Sequence, residues 1–254
     1  MTNFTFPCKK SRIIIASILL LTCSNINAQI GLYSDLNQDG RTNIQDVSLE
    51  INLITGKATD AAVEAGLCPD VMHPHAINMG LPSGTKWTCC NVGATKPTEY
   101  GGHFAWAETL TKNEYGVNTY FYYDDYEYVN LAKDIAGTIC DVATVKWGES
   151  YSIPTLEQYK ELVNNCSSSW TTIGGVNGRL FVASNRHKIF IPANGRWSST
   201  NFLFNELEGF YWLSTRHENN VECAYHFGFS QENTSLGGVY TYRYFGQGIR
   251  PVSK

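Results

Sequence analysis

Apolar positions along this chain change their period from one region to the next. Residues 13–21 (IIIASILLL) form one unbroken apolar run. Further on, Val47, Ile51 and Ile54 recur at helical spacing, and Gly56 is a natural stop. From about residue 74 the pattern is mostly alternation in short runs, broken by turn signals (PSG, GG, NG), which predicts strands. Tyr225, Phe227 and Phe229 fall on one strand face, and Tyr240, Tyr242 and Tyr244 on another. The SLGG between them predicts an antiparallel hairpin. Arg186–Pro192 reads as a further strand. One helix interrupts this region. Thr155 is its N-cap, Leu156, Tyr159, Leu162 and Val163 its apolar stripe, and Asn164-Asn165 its end. Glu157 near its start and Lys160 further on agree with the helix dipole. The expected class is α+β, with short antiparallel strands, long loops and one or two helices.

Charge gives the first apolar run its meaning. Lys9, Lys10 and Arg12 precede it, and Ile26-Asn27-Ala28 follows it, ending on a small residue. Residues 1–28 therefore read as a secretory signal, too short for a mature membrane span, and the chain as secreted or cell-surface. A second reading cuts before Cys23, where Leu20-Leu21-Thr22-Cys23 loosely follows a lipoprotein box and would give a lipid anchor. Removing the signal takes away three of nineteen basic residues and none of twenty-three acidic ones, leaving a net charge near −7. With no basic run, nucleic acid is not an expected partner. Hydrophobic residues at 43% and charged ones at 17% point to a packed core and away from disorder or coiled coil.

Residues 35–46 (DLNQDGRTNIQD) carry the clearest chemistry. Calcium takes six to eight oxygens, which a twelve-residue loop can wrap around it. Asp35, Asn37 and Asp39 would supply side-chain oxygens, Gly40 the sharp turn, and Arg41 its backbone carbonyl. Asn43 would coordinate directly or through water, and Asp46 would close the loop. This pattern, followed by one apolar helix, resembles a dockerin repeat. The resemblance implies Ca²⁺ as cofactor and a cohesin as a conceivable partner. Dockerins usually carry two such repeats, and no second loop follows Gly56, which weakens docking and favours a calcium-stiffened spacer. Residues 29–72 are assigned to this repeat and its linker.

Residues 73–254 form the large domain. The stretches MGLPSGTKWTCCNVGATKPTEYGGHFAWAET (79–109), KWGESYSIPTLEQYKELVNNC (146–166), WTTIGGVNGRLF (170–181), IFIPANGRW (189–197), GFYWLST (209–215) and YFGQGIRPV (244–252) resemble, in order, the Fibrobacter succinogenes major paralogous domain of secreted Bacteroidetes proteins. That family is similar to the C-type-lectin-like and formylglycine-generating-enzyme folds. The resemblance implies that the two ends of the domain meet in one sheet while long loops build a surface. It implies no reaction.

Six cysteines lie beyond the signal: Cys68, Cys89, Cys90, Cys140, Cys166 and Cys223. Export permits disulfides. Cys90 and Cys166 both sit in the resembling segments and are expected to pair, a link of ~2–4 kcal/mol. Cys89 and Cys90 should alternate across a strand, with at most one facing the core. Trp87, Trp106, Trp147, Trp170, Trp197 and Trp212 are expected in the core, and Arg250 against buried carbonyls or a carboxylate.

No nucleophile-elbow G-x-S-x-G appears. Among Glu99, Glu108, Asp124, Asp125, Asp141 and Glu149 no spacing singles out a hydrolytic pair. Neither E-P-N nor W-N-D occurs, so a lectin-type calcium–sugar site is not expected. Recognition without catalysis is the expectation, of a glycan or a surface protein. The best candidate surface is YFYYDDYEY: Tyr120, Tyr122, Tyr123, Asp124, Asp125 and Tyr126. Tyrosine supplies contact area at low entropic cost. A half-buried strand or ordered insertion is the competing reading of that stretch. An accessory role in polysaccharide breakdown and an unrecognised active site are the alternatives.

Overall fold

The computed structural model describes residues 75–232 and 238–253. The strands are β1 (Ala76–Ile77), β2 (Lys86–Thr88), β3 (Tyr123–Asp124), β4 (Glu127–Tyr128), β5 (Tyr151–Ser152), β6 (Cys166–Ile173), β7 (Val176–Ala183), β8 (Lys188–Pro192), β9 (Asn194–Ser198), β10 (Asn201–Asn205), β11 (Glu208–Arg216), β12 (Cys223–Ser230), β13 (Val239–Tyr242) and β14 (Val252–Ser253). The helices are α1 (Val142–Trp147) and α2 (Leu156–Asn165). The class is α+β and strand-rich, as the alternation predicts. None of the described helices is long and apolar enough to cross a membrane.

Local chemistry sets α2. Thr155 Oγ1 accepts from Gln158 N at 3.1 Å, and Gln158 returns a carbonyl oxygen to Thr155 N at 2.9 Å. This reciprocal cap satisfies two orphan donors. Leu156, Tyr159 and Leu162 are its buried stripe. No loop follows: Cys166 caps the helix in an extended conformation and begins β6. Helix α1 depends on tertiary neighbours. Asp141 is fully buried and accepts from Ala143, Thr144, Gly137 and Ile153 N–H groups at 2.9–3.2 Å. Burial raises its pKa, and the N–H groups of Gly137, Ile153 and Thr144 pull it back.

The sheets run in the orders β1-β2-β14-β5, β10-β9-β11-β12-β13, β6-β7-β8 and β3-β4. In the first, Val252 of β14 lies opposite Trp87 of β2 and Ser152 of β5, so the start and end of the described domain meet. The main core is a ladder of rings: Tyr159 stacks on Phe227 at 4.5 Å and Phe227 on Tyr211 at 5.0 Å. A second core gathers Phe104, Trp106, Val142, Ile153, Trp212 and Ile249. Arg250 is fully buried and donates to the Thr88 and Phe190 carbonyls at 3.1 and 2.9 Å, tying β2 to β8.

Residues 246–248 thread between neighbours as single bridges to Trp197, Phe104 and Tyr211. A Cβ on Gly246 would sit 2.8 Å from the Tyr115 ring, so only glycine permits this approach. Trp87, Trp106 and Trp212 are buried, and Trp147, Trp170 and Trp197 are half-buried.

Two cysteine expectations change. Cys89 and Cys90 follow β2 in a bend rather than a strand, so both are buried, with sulfurs 3.6 Å apart. Cys166 is a free, half-buried thiol at the α2–β6 junction and is not bridged to Cys90. It begins a strand whose register sets it opposite Ala183, and burial pushes its pKa up to about 11.

Candidate functional site

Strands β3 and β4 form a tight hairpin, with Tyr123 opposite Tyr128 and Asp124 opposite Glu127. Its two turn residues, Asp125 and Tyr126, have φ of 46° and 64°. A two-residue hairpin turn with both centres at positive φ matches the strand twist, and Asn-Gly is its usual solution. Here a bulky tyrosine holds the second place and is 89% exposed. Such a backbone costs of order 1–3 kcal/mol, so the surroundings must hold it.

Beside the hairpin runs an open groove of about 530 Å³. Tyr123, Tyr126, Glu127 and Tyr128 form one wall. Val221, Glu222, Tyr242 and Tyr244, from the approach to β12 and the end of β13, form the other, with Val117 at the edge. Tyr242 and Tyr244 stack at 5.3 Å and 10°, while Tyr123 meets Tyr128 edge-on at 5.0 Å. The rings offer apolar faces, and the phenols and carboxylates offer hydrogen bonds. Burial first, then the Glu222 carboxylate, holds the Tyr128 hydroxyl well above its usual pKa. Burial and then Tyr242 raise that of Tyr244. Both stay neutral donors at physiological pH.

Arg243 joins the two walls from below. It is fully buried and donates from Nε to Tyr120 Oη at 2.8 Å. Its Nη1 donates to the Val129 carbonyl at 3.1 Å and the Val221 carbonyl at 2.8 Å. The guanidinium also lies 5.2–5.5 Å from the Trp106, Tyr120 and Tyr128 ring centres. One cation thus holds both walls to a common base.

The expected surface stretch divides. Tyr120 is a core residue, 2% exposed, because its hydroxyl is spent on the Trp106 carbonyl at 2.8 Å and on Arg243. Tyr122 is half-buried, with its hydroxyl 3.3 Å from Cys140 Sγ. It lines a separate apolar pocket of about 270 Å³ with Leu110, Phe121 and Ile139. Asp124 and Asp125 are exposed at the hairpin tip and do not line the groove. Only Tyr123 and Tyr126 of the six candidates do. Glu127 and Tyr128, the last two residues of the YFYYDDYEY stretch, line the groove as well, whereas sequence reasoning misses Glu222, Tyr242 and Tyr244 as groove residues. The alternation that marks Tyr242 and Tyr244 is legible, but their meeting with a hairpin over a hundred residues earlier is not.

Several candidate carboxylates hold the fold instead. Asp141 caps α1. Glu99 Oε2 accepts from Thr95 N and Oγ1 at 2.7 and 3.0 Å. Glu108 pairs with Lys112 at 2.8 Å and accepts from Phe121 N. Among the described residues no group of three or more His, Cys, Asp or Glu side chains is gathered to hold a metal ion. The expected calcium ligands Asp35, Asn37, Asp39, Arg41, Asn43 and Asp46 lie outside the described residues. No family model, curated protein or solved structure matches the chain.

Proposed function

We propose that this is a secreted, calcium-binding, non-catalytic recognition or surface-assembly protein, and that its tyrosine groove receives a glycan. The observation that carries the reading is the groove itself: five tyrosines from two distant segments, with Glu127 and Glu222 among them. Sugar rings pack their CH faces on aromatic rings, and carboxylates and phenols fix hydroxyl orientation. The C-type-lectin-like architecture and the membership in the major paralogous domain family are part of the proposal. The pairing of β14 with β2 supports them. The Asp35–Asp46 loop holds Ca²⁺ on this reading, supported by its donor spacing.

The test is a glycan array followed by titration calorimetry on the exported protein, with Ca²⁺ and with chelator. A retained glycan whose affinity drops about tenfold in Tyr126→Ala or Tyr242→Ala supports the groove. Equal binding by the variants removes the site. For calcium, Asp35→Ala with Asp39→Ala abolishes the ion-dependent rise in melting temperature, and an unchanged rise removes the metal loop. One observation favours a second reading. Glu127 and Glu222 share the groove, and paired carboxylates hydrolyse glycosides. Release of reducing ends, lost in Glu127→Gln, would establish hydrolysis in place of recognition alone.

A further inference from the structure

The charged residues that line the groove are all acidic. Among its nine lining residues two are acidic and none is basic. Asp124 and Asp125 are exposed at the adjoining hairpin tip and add to the same sign. Neither Arg243 nor Lys112 lines the groove. Arg243 lies fully buried behind the tyrosine wall, its Nε and Nη1 donating to Tyr120, Val129 and Val221. Lys112 is ion-paired with Glu108 at 2.8 Å and donates to the Thr119 carbonyl. The ring faces carry the negative side of the aromatic quadrupole, which attracts cations and repels anions.

We infer that this groove, taken as the glycan site proposed above, selects sugars bearing a free ammonium group, of the glucosamine type, over their N-acetylated and uronic counterparts. An ammonium group can donate charge-assisted hydrogen bonds to Glu127 or Glu222 while its own ring packs on a tyrosine face. An N-acetyl group removes that charge and adds bulk. A uronic carboxylate brings like charge against two glutamates, and repulsion of the wrong partner is an effective source of specificity.

The experiment compares three oligosaccharides of equal length by calorimetry at low salt: glucosamine, N-acetylglucosamine and galacturonate oligomers, with oligolysine as a fourth probe. The expected order is glucosamine over N-acetylglucosamine by about tenfold, with galacturonate weakest, and with the preference shrinking as salt is raised. Glu127→Gln with Glu222→Gln, first checked for an unchanged melting temperature, should collapse the amine-to-acetyl ratio to about twofold or less. Equal affinities, or tightest binding of galacturonate, overturn the selectivity while leaving a sugar site in place. Oligolysine held as tightly as the glucosamine oligomer overturns it in favour of a general cation trap for basic protein segments. No retention of any oligosaccharide removes the glycan reading and this inference together.

Discussion

Tyr126 shows how a single residue can be held against its own preference. Its positive φ would suit glycine, yet its ring stands on the groove rim. Replacing Asp125-Tyr126 by Asn-Gly is expected to stabilise the hairpin by about 1 kcal/mol, because the strain disappears. Glycan affinity should fall in the same variant, because a contact ring disappears. Urea unfolding and titration should thus move in opposite directions. If both improve, Tyr126 is not a contact residue. Arg243 is the opposite case, a residue whose environment depends on it. Arg243→Met takes the donor from one buried acceptor, Tyr120 Oη, and from two partly buried ones, the Val129 and Val221 carbonyls. The expected loss is about 3 kcal/mol by urea unfolding, and Arg243→Lys should rescue only part of it, lacking the planar fork.

Elements show how local and distant causes divide. Helix α2 carries its own cap, stripe and stop, so it is legible from its own residues. Thr155→Ala should cost about 1 kcal/mol by urea unfolding. Cys166 at its end separates two pictures of the junction. A bridge to Cys90 would contribute ~2–4 kcal/mol, whereas a free thiol beside β6 contributes little. Cys166→Ser is therefore expected to shift stability by less than about 1 kcal/mol, and a larger loss would restore the bridge. Helix α1 does not stand out in the apolar pattern. Its cap, Asp141, looks in sequence like one more acidic residue, because two of its four donors, Gly137 and Ile153, come from outside the helix. The β3–β4 hairpin reads as a surface loop for a similar reason. Its turn lacks the glycine that usually announces such a bend.

The whole molecule has an acid limit built into its core. His226 lies between Phe210 and Trp212, at ring separations of 5.9 and 6.0 Å. Burial first, then the Arg196 charge, lower its pKa to about 3. His103 is also lowered, chiefly by burial, while its Nε2 donates to the Asn194 carbonyl at 2.8 Å. In the unfolded chain both take up a proton near pH 6.5. Stability is therefore full above about pH 6.5 and falls below it, by up to about 1.4 kcal/mol per pH unit for each histidine that stays neutral in the folded protein. For His226 the fall continues towards pH 3. Melting temperature should decline steadily from about pH 6.5 to about pH 4, less so in His226→Gln, and a flat profile would contradict neutral burial.

Sequence alone determined what depends on neighbours a few residues away. The strand alternation, the α2 cap and stripe, the turn signals, the export-like start and the spacing of oxygen donors in residues 35–46 are all local patterns. Tertiary structure decided what depends on residues far apart in the chain. Tyr120 became core, and Tyr126 became surface, within seven residues of one another, because Arg243 sits beneath the first and not the second. The groove exists only where a hairpin near residue 125 meets a strand end near residue 243. Periodicity records which face a side chain takes, but it carries no information about which distant segment that face will meet.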